Sequence, residues 1–172
     1  IRQRPFHTAV NFEGFTDRDI FSTAIQTRRT GGPLVFSTTT GFVKWKTQDV
    51  TDLDYTPMPL ITRDNTEEDF QFTQEVRVAS ADNAALTFSD SLTMKWQAGV
   101  FLFTQGYDQD AVNNFAPGLI SQQLPILISQ HSPQSELDDF GLGVFGQSVF
   151  TLNQKLDLTA GARVDYENKS AN

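Results

Sequence analysis

The stretch 156–167 constrains the fold more than any other part of the sequence. Leu156, Leu158, Ala160, Ala162, Val164 and Tyr166 share one parity, and Asp157, Thr159, Gly161, Arg163, Asp165 and Glu167 share the other. Side chains alternate faces along a strand, so a strand here is apolar on one side and polar or small on the other. A helix would scatter both sets around its axis. The alternation lasts about twelve residues, longer than the ~5–6 of a soluble strand and enough for the ~9–11 that cross a bilayer at a tilt.

Other segments carry the pattern less cleanly. In 92–105, Met94, Trp96, Ala98, Val100 and Leu102 oppose Lys95, Gln97 and Gly99, while Phe101 and Phe103 break the polar parity. In 69–80, Phe70, Phe72, Val76 and Val78 oppose Gln71, Thr73, Glu75 and Arg77. Residues 19–29, 34–48 and 139–151 also read as strands from their Thr, Val, Phe and Ile content, and 4–13 is a candidate seventh. No segment predicts a helix. The expected class is all-β.

Tight turns are expected at Thr30-Gly31-Gly32-Pro33 and Asn153-Gln154-Lys155, with long polar loops at 49–68 and 106–137. Short and long connections thus alternate, the habit of an up-and-down transmembrane barrel with short periplasmic turns and long extracellular loops. The stretch 81–91 is longer than that pattern wants. With the tight turns inside, Trp45, Tyr107 and Tyr166 fall near the outer interface and Trp96 near the inner one, as aromatic girdles would.

Composition removes several alternatives. Thirteen Lys and Arg against 21 Asp and Glu give a net charge of -8, which argues against a nucleic-acid partner. The absence of cysteine excludes disulfide scaffolds and thiolate metal sites, and two histidines, His7 and His131, leave little for imidazole ligation. No run approaches the ~18–20 apolar residues of a membrane-spanning helix, and no N-terminal stretch reads as a signal peptide. The sequence begins on Ile1 and stops at Asn172 in mid-pattern, so a piece of something longer is expected.

Several stretches, in order, resemble the barrel of TonB-dependent outer-membrane receptors. Phe72-Thr73-Gln74-Glu75-Val76-Arg77-Val78-Ala79-Ser80 is similar to that family's F-S-Q-E-L-R-L-A-S strand. Lys95-Trp96-Gln97-Ala98-Gly99-Val100-Phe101-Leu102-Phe103 is similar to the K-W-x-x-G-x-F-x-F strand after it. Phe145-Gly146-Gln147, followed by 156–166, resembles the later F-G-Q and L-x-L-T-A-G-x-R-Y hairpin, and Asp52-Leu53-Asp54-Tyr55-Thr56-Pro57 resembles a family loop.

The resemblance implies an antiparallel barrel of ~22 strands, of which 1–172 would form a partial barrel domain of about six or seven strands, with the plug domain lying outside this chain. It implies a bacterial outer-membrane location and import of a ferric siderophore or similar scarce nutrient. The partners it implies are that small molecule, outer-membrane lipid, and the TonB–ExbB–ExbD complex acting through the plug. No enzyme activity, cofactor or metal is expected. The rival readings are a passive porin-like channel and a soluble β-sandwich or adhesin.

Candidate lumen-lining or ligand-binding residues are Glu75, Arg77, Arg163, Asp165 and Glu167, which share the polar parity of their strands, with Tyr107 and Phe115 as aromatic contacts in the long loop. The apolar island Leu124-Pro125-Ile126-Leu127-Ile128 is expected to fold against that loop. Gly141-Leu142-Gly143-Val144-Phe145-Gly146 fits G-x-G-x-x-G, but the strand-like residues after it argue against a dinucleotide site. His131 with Ser129, Ser132, Asp138 and Asp139 lacks any nucleophile-elbow pattern. Asp49, Asp52 and Asp54 lack the glycine and terminal Glu of an EF-hand loop.

Overall fold

The computed structural model describes residues 10–120, 122–123, 126–132 and 135–171. They form one antiparallel sheet and, among the described residues, no helix. Six long strands, β1 (Phe15–Arg29), β2 (Leu34–Asp52), β3 (Ile61–Ser80), β5 (Leu92–Phe115), β7 (Ser135–Leu152) and β8 (Leu156–Ala171), lie in sequence order across it. All six strand segments expected from the sequence are present. Residues 10–14 are not strand, and the rest of the candidate seventh lies outside the described residues.

Two short strands complete the pairing of the 24-residue β5. β4 (Leu86–Ser89) folds back on its first residues below the end of β3, and β6 (Ile128–His131) pairs with its last residues beyond the start of β7. The over-long connection 81–91 is thereby explained: it doubles back as a hairpin strand and still turns at the same end as 30–33 and 153–155. In the last of these, Asn153 and Gln154 are both left-handed (φ 51° and 56°), and Lys155 N–H donates to Leu152 O at 3.0 Å. That is the geometry whose twist suits a hairpin.

The expected long loops shrink. β2 runs to Asp52 and β3 starts at Ile61, so the loop expected at 49–68 spans only 53–60. β5 likewise runs to Phe115, which places Tyr107 and Phe115 in a strand and not in a loop. The reason lies in the polar residues that continue these strands: they alternate without hydrophobic contrast, yet their backbone groups still pair across the ladder. Of the apolar island, Ile128 opens β6 and pairs with Phe115, and Leu124 and Pro125 lie outside the described residues.

Register sorts every side chain onto one of two faces, because cross-strand partners share a face. On β8 the apolar face carries 156, 158, 160, 162, 164 and 166, as expected. Through the ladder the same face carries Val144 and Leu142 of β7, Val100 and Leu102 of β5, Val76, Phe72 and Phe70 of β3, and Phe42 of β2. From Leu156 to Tyr166 is ten steps of ~3.3 Å, which at a ~40° tilt projects to about 25 Å, the height of the apolar belt of a transmembrane barrel. Further toward the loops the same face turns polar, first with Lys44 and Asp138 and then with the cross-strand row of Asp19, Lys46, Glu68, Asp108 and Glu136. Lys46 and Glu68 are ion-paired there at 2.5 Å.

None of the described residues covers this face. Among the described residues only Ala81 and Ala111 are buried apolar residues, whereas Val164 is 74% exposed and Phe21, Ile25, Leu158 and Tyr166 are each more than half exposed. A β-sandwich would bury one face of each sheet against another, so the soluble sandwich expectation is set aside. Arginine at Val164 or Ala160 is expected to cost about 2–4 kcal/mol near a bilayer midplane and to abolish membrane assembly. Thr159→Arg, on the opposite face, is expected to leave assembly nearly intact. Folding into vesicles, followed by mobility shift on unheated gels, checks the contrast; equal damage at both parities would refute the face assignment.

Candidate functional site

The polar face collects the predicted residues in two zones. In the zone nearer the tight turns, one cross-strand row holds Arg28, Ser37, Arg77, Gly99, Phe145 and Arg163, and the next row toward the loops holds Glu75, Phe101, Gly143 and Asp165. Arg163 is the hub. Its Nε donates to Asp165 Oδ1 and Oδ2 at 2.8 and 2.9 Å, and its guanidinium carbon lies 5.4 Å from the Phe101 ring centre and 5.9 Å from that of Phe145. The two rings explain Phe101, which broke the sequence parity: it belongs on the polar face, under a cation. Arg77 donates to Ser37 Oγ at 3.3 Å. Glu75, Arg77, Phe145, Gln147, Thr159 and Arg163 line a shallow hollow of about 560 Å³.

Glycines make this zone possible. A Cβ on Gly99 would strike the Phe145 ring, its register partner, and come within 2.9 Å of Val76 O. One on Gly143 would lie 2.5 Å from Asp165 Oδ1 and 2.8 Å from Arg163 Nη2. Gly141-Leu142-Gly143-Val144-Phe145-Gly146 is therefore strand interior, with room for neighbouring side chains, and no helix follows it. Gly99→Ala is expected to cost about 1–3 kcal/mol through displacement of Phe145, read as a lower unfolding midpoint in urea.

Nearer the loops, Tyr107 pairs with Asp69, and Asp69 with Trp45. Trp45 and Tyr107 were expected in a lipid-facing girdle; register puts both on the polar face, with ring centres 6.2 Å apart. Tyr166 and Trp96 do lie on the apolar face, Tyr166 at the loop end of the belt and Trp96 inside it, in the row of Ser148 and Ala160. Glu167 holds Lys169 at 3.0 Å, and Lys169 also reaches Asp139 at 3.3 Å. Asp139 is 5% exposed, and its Oδ1 has no hydrogen-bond partner. Phe115 pairs with Ile61 at the far end of β5 and joins neither zone. Trp45, Asp69, Asp139 and Lys169 were not among the predicted site residues. Asp69 and Lys169 continue the polar parity already legible in β3 and β8, whereas Trp45 and Asp139 needed the pairing that carries this parity to β2 and β7.

The other constellations dissolve. His131 lies in β6 with Nδ1 3.9 Å from Asp110, while Ser129 donates to Asn114 Oδ1 at 2.6 Å. Among the described residues no three acids or histidines converge as metal ligands. Asp52 and Asp54 instead organise loop 53–60. Asp52 Oδ1 accepts the N–H groups of Asp54 and Tyr55, and Asp54 accepts those of Thr56, Leu60 and Ile61 as well as the Thr56 hydroxyl. The Thr56 hydroxyl first, and then the backbone donors, hold the Asp54 carboxyl down at about 2.

A depressed carboxyl stabilises the folded loop above its ordinary pKa and loses that contribution as pH falls through the folded value. The loop is therefore expected to keep its amide protection from neutral pH to about 4 and to lose it toward 2. Asp54→Ala is expected to lose protection at all pH values. Hydrogen–deuterium exchange of 53–61, corrected for intrinsic rates, checks both.

No protein-family model matches the chain, and no curated protein matches it by sequence. Solved structures do match. The ferric citrate transporter FecA, in its unliganded form, superposes with a TM-score of 0.67 at 10% identity, over 91% of this chain and 22% of its own. The siderophore receptor PiuA from Acinetobacter baumannii matches with a TM-score of 0.51 at 12% identity, over 92% of this chain and 30% of its own. The chain thus has the fold of a section of TonB-dependent receptor barrel wall, and spans less than a third of the length of either receptor. In that fold the apolar face meets lipid and the polar face lines the lumen.

Proposed function

We propose that this chain is part of the barrel of an active-transport receptor of the bacterial outer membrane. The receptor imports a scarce small molecule, a ferric siderophore or a nutrient of similar size. Energy comes from the TonB–ExbB–ExbD complex through a plug domain. The observation that carries this reading is the single coreless sheet, with an apolar belt of bilayer height on β8 and polar rows beyond it toward the loops, in the fold of receptor barrels. Glu75, Arg77, Arg163, Asp165 and Glu167 then line the lumen beside the transport path, and Tyr107 stands nearer the outer mouth. The work is binding and passage, and no side chain is assigned covalent chemistry.

The test is nutrient uptake in a strain that depends on the gene encoding this chain. Growth on limiting iron sources, and then on other limiting nutrients, is expected to fail when the gene is deleted and to fail equally when tonB is deleted. Uptake that needs the gene but survives loss of tonB would replace the active receptor with a passive porin-like channel. No growth difference on any source would overturn both.

A further inference from the structure

The lumen face carries a feature near its outer mouth that the transport reading leaves unused. In one cross-strand row Ile20 stands beside Trp45, Trp45 beside Asp69, Asp69 beside Tyr107, and Tyr107 beside Leu137. Trp45 and Tyr107 sit on the strands either side of Asp69, two strand spacings or roughly 9–10 Å apart at the backbone. Their ring centres are nevertheless only 6.2 Å apart, at an interplanar angle of 54°. The rings lean toward each other over Asp69, which is 5% exposed and takes a hydrogen bond from Gln105 Nε2 at 2.5 Å.

The charges around the pair have one dominant sign. Glu67 lies on the same face of β3, one row further out, and accepts from Asn65 at 2.8 Å and Gln109 at 3.3 Å. On this face, from the row of Asp139 outward and including Glu167, the acids Asp49, Glu67, Asp69, Asp139 and Glu167 face the cations Arg18, Arg63 and Lys169. Lys169 is held between Asp139 and Glu167, and Arg18 directs its Nε to Thr47 Oγ1 at 2.9 Å. A carboxylate buried behind two aromatic rings is screened little by solvent, and its field adds to the negative faces of the rings themselves. An anion approaching this wall meets repulsion; a cation meets two attractive terms of the same sign.

We propose that Trp45 and Tyr107, backed by Asp69, form a lumen-facing platform that binds an organic cation, an ammonium or guanidinium group carried on a flat or apolar body. The proposal rests on the transport reading for its biological meaning, since a platform in the lumen meets whatever passes through it. It departs from an anionic ferric complex as the cargo recognised by this part of the wall.

Three probes with one body and different charge decide the matter: naphthylmethylammonium, naphthylmethanol and naphthoate, each titrated by calorimetry into the intact receptor that contains this chain, in detergent. The ammonium is expected to bind about tenfold tighter than the alcohol, with the carboxylate weakest. Asp69→Asn is expected to remove the advantage of the ammonium and leave the alcohol unchanged, while Trp45→Leu weakens both. Tyr107→Leu provides a second route should Asp69→Asn fail to fold, as judged by the heat-modified gel shift, and is also expected to weaken both. Equal affinity for ammonium and alcohol, tightest binding of the carboxylate, or variants without effect would overturn the platform. The measurement needs no TonB. Energised uptake with a flat probe order would therefore defeat this proposal alone, and the expected probe order without energised uptake would defeat the transport reading alone.

Discussion

The structure depends on an apolar face that none of the described residues covers. One sheet cannot bury both of its sides, and among the described residues neither side is packed against a second layer. Leaving a belt of Leu, Val, Phe and Tyr in water would forfeit the transfer free energy of each side chain, about 1.5–3 kcal/mol apiece. A hydrocarbon solvent would remove that penalty, and a sheet can enter it when its backbone groups are paired. Both conditions shape the chain. The ladder is continuous over six long strands, and β4 and β6 extend the pairing of β5 past the ends of its long neighbours. The outer rows of β1 and β8 remain open to further strands, as in any section of a closed barrel.

The same ladder binds the two faces to one another. Because the side-chain period is two, a slip of β8 by one residue would move Arg163, Asp165 and Glu167 to the apolar face and Leu158, Val164 and Tyr166 to the polar one. Complementary shapes across strands help to hold the register. Gly99 receives the Phe145 ring on the lumen face, and Gly106 receives the Phe70 ring on the lipid face, each from its direct register partner. Shifting either strand would set an aromatic ring against a residue with a Cβ and leave the glycine uncovered. Small residues in β5 and β7 thus help to set alignment as well as room.

How much of this was legible in sequence follows from contrast between the faces. In β8 every residue of one parity is apolar and every residue of the other is polar or small, so the faces could be read directly. β2 defeats that reading: Phe36 and Phe42 lie on the lipid face, but Val43 and Trp45 lie on the lumen face, and nothing inside the strand says which set meets lipid. Register with β3 and β5 supplies the answer. Phe101 and Phe103 were opaque for the same reason, since an aromatic that serves a cation on the lumen side looks like a flaw in the pattern. The strand ends past the belt were missed because both parities are largely polar there, which removes the hydrophobic alternation while leaving the hydrogen bonds intact. The residues of the Arg163 zone were recoverable from parity, whereas the meeting of Trp45, Asp69 and Tyr107 depends on three strands whose order only pairing reveals.

That difference in depth also separates the two lumen zones physically. The Arg163 zone lies level with the apolar belt and balances its charge locally: Arg163 answers Asp165, beside Arg77 and Glu75 one row apart. A pair so exposed contributes little to stability, so its main effect is on the local field, which it brings close to neutral. The outer zone stands near the charged row beyond the belt, where acids outnumber cations and two of them, Asp69 and Asp139, are buried in the wall. Burying a carboxylate is costly unless something attractive stands near it. Asp69 has one amide donor and two aromatic rings above it, and Asp139 has Lys169 at one oxygen and no partner at the other. A wall built this way leaves positive charge wanting in its outer zone and satisfied in its inner one, and under the proposed transport role such a gradient would sort what enters by charge.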